Sequence, residues 1–250
     1  MKARREGANG KMVDLHGGTL FCLPFAGGSF YSYRDLQRHT DGVRFVALEL
    51  PGRGRRFSEP LLTSLPDMED ELFGQIRDRL GGAYAIYGHS LGACIGYLLV
   101  KRIIRERCPL PRRLFVSGRE APSLPGKEKG RHLLPRGQFI EVLKRFEGTV
   151  PEVLANREMM DLFEPVLRAD FQALDNYAYE KTEPFAVPIT VMRGTEENVS
   201  RDDALKWQDE TTRKIDFLEF NGGHFFIFSH AREIGRILSR GVRTPADTAV

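Results

Sequence analysis

Nowhere does the sequence offer an uninterrupted apolar run near the ~20 residues that span a bilayer, so no membrane partner is expected. Cysteine is scarce and odd in number. Cys22, Cys94 and Cys108 form no C-x-x-C pair, which excludes a disulfide framework and points to a reducing, cytoplasmic setting. No His or Cys cluster has ligand spacing, so neither metal nor other cofactor is expected. An excess of one charge is missing too: 37 Lys+Arg against 34 Asp+Glu leave a formal +3 over 250 residues. Basic residues are nowhere interleaved with aromatics along one face, so no nucleic-acid partner is expected. The opening Met1-Lys2-Ala3-Arg4-Arg5-Glu6-Gly7 is basic but lacks a following apolar stretch, and is not read as a secretory signal. A monomer is expected.

What is present is an alternation of short apolar runs and amphipathic stretches. Thr19–Leu23, Val43–Leu48, Ala83–Tyr87, Arg113–Val116, Ile189–Met192 and Ile215–Phe220 read as strands, nearly continuous in apolar residues, as suits parallel strands covered on both faces. Pro66–Leu80, Ala93–Arg107, Ala204–Thr211 and Ala231–Ser239 read as helices. The order predicts an α/β fold with a mostly parallel central sheet and helices on both faces. Between Ser117 and Pro188 no strand is apparent. A Pro- and Gly-rich loop (Ala121 to Arg136) leads into helical patterns at Gln138–Phe146, around Glu152–Asn156 and from Glu158 to Tyr179, with Pro165 starting or kinking the last. So long an insertion is not a plain loop; an α-helical lid over the C-terminal edge of the sheet is expected. The resulting division is a flexible tail 1–18, a core 19–120, a lid 121–185, a second core segment 186–240 and a flexible tail 241–250.

The run Gly88-His89-Ser90-Leu91-Gly92 stands between a strand and a helix, the context of a nucleophile elbow, with glycines where side chains would crowd the turn. Ser90 is therefore the expected nucleophile. A serine hydroxyl needs a base. Of six histidines, His224 alone follows the last strand on a short loop, Asn221-Gly222-Gly223, at the edge where a parallel sheet carries its site. His89 lies within the elbow and is expected to point away from the nucleophile. The acid that steadies the base should follow the strand Ile189–Met192, where Arg193-Gly194-Thr195-Glu196-Glu197-Asn198-Val199 offers two glutamates and no aspartate; Glu197 is the first choice and Glu196 the second. Backbone N–H groups for an oxyanion are expected from Leu91, after the nucleophile, and from the loop Leu23-Pro24-Phe25-Ala26-Gly27-Gly28-Ser29, with Ala26 preferred over Phe25. Arg53, Arg55 and Arg56 read first as a solvated basic loop and second as contacts for an acidic protein or a phosphate. Cys94 reads as a packed small residue rather than a second nucleophile.

These runs resemble the type II thioesterases, the stand-alone editing enzymes of nonribosomal peptide and polyketide synthases. The likeness spans Thr19 to Ser239. It rests on Leu23 to Ser29, on Leu50-Pro51-Gly52-Arg53-Gly54-Arg55-Arg56, on the elbow, on Ser117-Gly118-Arg119-Glu120-Ala121-Pro122, on Leu167-Arg168-Ala169-Asp170-Phe171 with Tyr177 and Tyr179, and on Gly222-Gly223-His224-Phe225-Phe226. The resemblance implies an α/β-hydrolase fold with a helical lid and hydrolysis of acyl thioesters from the phosphopantetheine arm of acyl or peptidyl carrier protein domains. Ser90, Leu91, Ala26 and His224 match the family pattern position by position. The acid departs from it, because the turn is one residue shorter and its acid one carbon longer. A medium-chain fatty acyl-carrier thioesterase, a lipase or carboxylesterase, and a non-catalytic carrier-binding protein are the alternative readings.

Overall fold

The structure is a computed structural model. It describes residues 17–244 except 125, 127, 128, 147–153 and 155, together with the two short strands at 4–6 and 12–14. Those strands, β1 (Arg4–Glu6) and β2 (Met12–Asp14), pair antiparallel. The expected tails lie largely outside the described residues.

Six further strands form one parallel sheet: β3 (Thr19–Leu23), β4 (Arg44–Ala47), β5 (Tyr84–His89), β6 (Leu114–Ser117), β7 (Ile189–Gly194) and β8 (Asp216–Phe220), in the order β4-β3-β5-β6-β7-β8. Every pair is parallel. The central strand β5 is buried along its whole length, which is why Tyr84–Tyr87 reads as unbroken apolar sequence. One face of the sheet packs on α2 (Leu65–Ile76) and α3 (Leu91–Arg105) through Leu72, Ile76, Ile95 and Leu99. The other packs on α1 (Arg34–Gln37) and the C-terminal helix through Leu36, Ile234, Leu238 and Val242.

All six expected strands and four expected core helices are present, Thr19–Leu23 with the expected ends and the others with shifted ones. The last helix reaches Arg243, because Val242 is still fully buried. Ala204–Thr211 divides into a short α-helix, Arg201–Leu205, capped by the Ser200 hydroxyl, and a 3-10 turn, Lys206–Glu210.

Between β6 and β7 lie α4 (Arg136–Phe146) and α5 (Arg157–Asp175). They share a small apolar cluster of Phe139, Leu143, Leu154, Met160, Leu167 and Phe171. The Asn156 side chain caps α5, and Pro165 lies inside it without ending it. The helix stops at Asp175 rather than Tyr179. The chain then turns back to the core, where the Tyr179 ring stacks on Tyr97 and its hydroxyl donates to Glu210 Oε2 at 3.2 Å. The turn expected around Glu152–Asn156 falls mostly outside the described residues. Among them, no helix is long and apolar enough to cross a membrane, and no cluster of His, Cys, Asp and Glu forms a metal site.

Candidate active site

Strand β5 ends at His89, and α3 begins at Leu91. Ser90 between them is held at φ 54°, ψ −113°, a strained backbone for a residue with a side chain. Two contacts explain the flanking glycines. A Cβ on Gly88 would stand 2.0 Å from the Gly92 carbonyl oxygen, and one on Gly92 would stand 2.9 Å from that of Leu23. Both obstacles are backbone and cannot step aside. The Ser90 N–H donates to the Ser117 carbonyl at 2.8 Å, tying the turn to the neighbouring strand. Leu91 is the first residue of α3, so its N–H has no acceptor within the helix. It points from the positive end of the helix dipole.

His224 stands on the loop after β8. Its Nδ1 lies 3.1 Å from Glu197 Oε2, and Glu197 Oε1 accepts the Gly194 N–H at 2.9 Å. The Glu197 side chain is 1% exposed, whereas Glu196 faces solvent and uses only its backbone N–H, donated to the Gly222 carbonyl at 3.0 Å. The structure thus brings Glu197 to the histidine, while Glu196 lines the same cavity with its side chain exposed. One Glu197 carboxylate oxygen turns back onto the end of its own strand while the other faces the histidine. Gly194 makes room for this loop pairing: a Cβ there would meet the carbonyl oxygens of Gly222 and Gly223, both at 2.6 Å.

Ser90, Glu197 and His224 line one cavity of about 550 Å³, walled on the lid side by Phe146 and Phe171. The Phe146 ring lies edge-on to His224, with centroids 5.2 Å apart, so α4 rests directly against that histidine. Ala26 meets Ser90 and His224 in a smaller adjoining cleft. A second cavity of about 310 Å³, sharing Arg119, Arg131 and Leu174 with the first, extends inward to Cys94, Tyr177 and Tyr179. The Cys94 thiol is buried, and its pKa is pushed up by that burial, as fits a packed residue.

One expectation about individual residues is corrected. Arg53 is neither solvated nor available to a partner: its side chain is 4% exposed and forms a bidentate pair with the fully buried Asp170, at 2.6 and 2.8 Å. Arg56 pairs with Glu59 and Glu71, and Arg55 lies beside Glu49 with its guanidinium over the Phe30 ring. His89 lines neither cavity at Ser90, in keeping with a side chain directed away from the nucleophile. Its ring packs on His224 with centroids 4.7 Å apart, and its Nδ1 lies 2.9 Å from Ser117 Oγ, which also meets the Tyr87 hydroxyl. Burial first, then the neighbouring His224, pulls the His89 pKa well below the usual histidine value. It is a neutral ring packed against the base. Gly118, at φ +62°, explains the close fit: a Cβ there would meet His89 Cε1 at 2.4 Å and His224 Cε1 at 3.1 Å.

A parallel sheet, a strained serine between β5 and α3, and a histidine–carboxylate pair on the loops after β8 and β7 together define an α/β-hydrolase. Comparison narrows the class: the chain belongs to the thioesterase domain family, whose match covers residues 18–241. It is 35% identical over 228 residues to the gramicidin S biosynthesis protein GrsT of Aneurinibacillus migulanus, covering 90% of this chain and 88% of that protein. Among solved structures, the type II thioesterase BorB from the borrelidin biosynthetic cluster superposes with a TM-score of 0.83 at 29% identity, covering 90% of this chain and 93% of that one. The RedJ thioesterase from the prodiginine pathway of Streptomyces coelicolor gives 0.81 at 30% identity, covering 92% and 91%. The chain is accordingly a hydrolase acting on thioesters.

Proposed function

We propose that the protein is a stand-alone type II thioesterase that hydrolyses acyl groups from the phosphopantetheine arm of carrier protein domains, clearing aberrant or stalled chains from a nonribosomal peptide or polyketide synthase. The observation that carries this reading is the Glu197–His224 pair opening onto the same lid-covered cavity as Ser90. Likeness over nearly the whole chain to proteins of such pathways supports the choice of client.

In this reading Glu197 holds His224 through Nδ1 and leaves Nε2 for the serine. His224 takes the Ser90 hydroxyl proton as Oγ adds to the thioester carbonyl. The N–H groups of Ala26 and Leu91 receive the oxyanion, each contributing about 3 kcal/mol to the transition state. The C–S bond breaks, the thiol of the arm leaves with the proton, and an acyl-Ser90 ester remains. Water then adds to that ester while His224 accepts its proton. Collapse releases the carboxylic acid and returns the proton to Ser90 Oγ. No cofactor takes part.

The test is a panel of carrier proteins loaded with correct and incorrect acyl groups, assayed for release of free acid. Hydrolysis by the native protein and none by Ser90→Ala is expected. Faster turnover of simple esters than of every carrier-bound thioester would favour a carboxylesterase. A strong preference for plain medium-length alkyl chains would favour fatty acyl-carrier substrates. Retained turnover in Ser90→Ala would remove the serine from its assigned role.

A further inference from the structure

Two of the sequence runs that carry the family resemblance, Pro51-Gly52-Arg53 and Leu167-Arg168-Ala169-Asp170-Phe171, meet at one buried contact. Arg53 Nη1 and Nη2 donate to Asp170 Oδ2 and Oδ1, and Arg53 Nε donates to the Pro51 carbonyl at 3.4 Å. Asp170 has a third partner. The N–H of Gly27, the residue after Ala26, donates to its Oδ2 at 2.8 Å. Asp170 belongs to the lid helix α5, whereas Gly27 belongs to the loop after β3.

We infer that Asp170, with Arg53, is a positioning residue for the oxyanion donor at Ala26, so that the oxyanion site is assembled only while the lid helix is docked. The inference rests on the functional reading above. The N–H bound by Asp170 belongs to the Ala26–Gly27 peptide, and the proposed donor belongs to the peptide immediately before it. Fixing one peptide plane limits the next, because only the two Ala26 dihedrals separate them. The turn is closed from the other side by the Gly28 N–H, which donates to the Phe25 carbonyl at 2.8 Å. Leu167, one turn before Asp170 on α5, lies so close that a Cβ on Gly27 would meet its Cδ2 at 2.7 Å, and Gly27 itself sits at φ +72°. The loop is thus shaped against the lid helix at two successive turns of that helix.

Charge explains why a pair is used. A lone carboxylate one peptide from a site built for a developing oxyanion would repel it. Arg53 occupies both carboxylate oxygens and cancels that field, while Oδ2 keeps a lone pair for the Gly27 N–H. Lifting α5 would remove Asp170 and leave Gly27 without this acceptor.

The test compares the native protein with Asp170→Asn and Arg53→Lys, using both p-nitrophenyl butyrate, which needs no carrier, and an acyl-carrier thioester. Inhibition by an alkylboronic acid, whose tetrahedral adduct occupies the oxyanion site, is measured in parallel. The expected result for each variant is a fall in kcat of roughly ten- to a hundredfold, somewhat less than deletion of a donor outright. KM should stay within about twofold, and the boronate inhibition constant should rise in step with the loss in kcat. If Asp170→Asn does not fold, Arg53→Lys, which keeps the positive charge but loses the fork, carries the same comparison. Variants that lose thermal stability while keeping kcat and boronate affinity would overturn the inference and leave the pair a structural one. A rise in KM alone would also overturn it. Absence of native turnover on both substrates would overturn the underlying reading and this inference together.

Discussion

Glu197 reaches His224 by doubling back: one carboxylate oxygen accepts the Gly194 N–H at the end of its own strand, and the other lies 3.1 Å from Nδ1 of the histidine. Both oxygens are therefore engaged before any substrate arrives, and the side chain is closed off from solvent. In the proposed mechanism a carboxylate so placed would fix the imidazole tautomer and stabilise the imidazolium formed during proton transfer.

Glu197→Gln should lower kcat by roughly a thousand- to ten-thousandfold, the scale seen when the orienting acid of a triad becomes an amide. Glu196→Gln should change it by less than about threefold, since that side chain is solvated. Steady-state hydrolysis of an acyl-carrier substrate by the two variants decides the matter. The reverse ranking would transfer the role to Glu196.

Gly194→Ala is expected to cost stability as well as activity. The added methyl group would press on two carbonyl oxygens at 2.6 Å, forcing apart the loops that hold acid and base. A loss of about 1–3 kcal/mol is anticipated from such overpacking, read as a lower denaturant midpoint with unchanged slope.

The neutral His89 ties stability to pH. In the unfolded chain this histidine takes up a proton below about pH 6.5, whereas in the folded chain its depressed pKa keeps it neutral. The unfolded state then binds more protons, so stability rises with pH up to about 6.5 and is flat in this group above it. Below about pH 6.5 the group's contribution falls by up to ~1.4 kcal/mol per pH unit. Chemical denaturation of native protein and His89→Gln between about pH 5 and 7 should give a shallower dependence for the variant. Parallel curves would contradict it.

The three thiols should separate by reactivity. Cys22 and Cys94 are buried, and burial raises both thiol pKa values. Cys108 is only half-buried, after the end of α3. Iodoacetamide at neutral pH should modify Cys108 first and leave hydrolysis intact, as peptide mapping alongside an activity assay will report. Early modification of Cys94 with loss of activity would reopen the question of a second nucleophile.

How much of this was legible in the sequence depended on range. The elbow is a five-residue signal flanked by its own strand and helix, and Ser90 stands where that pattern places it. His224 was legible for a similar reason, as a loop residue following a strand. Between two adjacent glutamates the contact lies with Glu197, which meets His224, while the Glu196 N–H goes to the Gly222 carbonyl; that difference depends on the fold of the turn rather than on its sequence. Arg53 was misread because three arginines within four residues look like solvated charge, and its partner lies 117 positions away on the lid. The packing of His89 on His224 joins β5 to the loop after β8, a contact that no local pattern encodes. The second half of α5 was overextended because Tyr177 and Tyr179 keep the apolar spacing while packing on the core instead.

The backbone contact between Gly194 and the Gly222-Gly223 carbonyls also bears on how such a site can be altered or transplanted. The acid turn and the histidine loop are further stitched by the Thr195 N–H to the Phe220 carbonyl and the Glu196 N–H to the Gly222 carbonyl. They behave as one cassette with two chain segments. An insertion or deletion in residues 194–199 has to be matched by a compensating change in residues 220–224. A graft of the acid turn alone would bring Glu197 without the Phe220 and Gly222 carbonyls that hold its turn, whereas moving both segments together should carry the register with them.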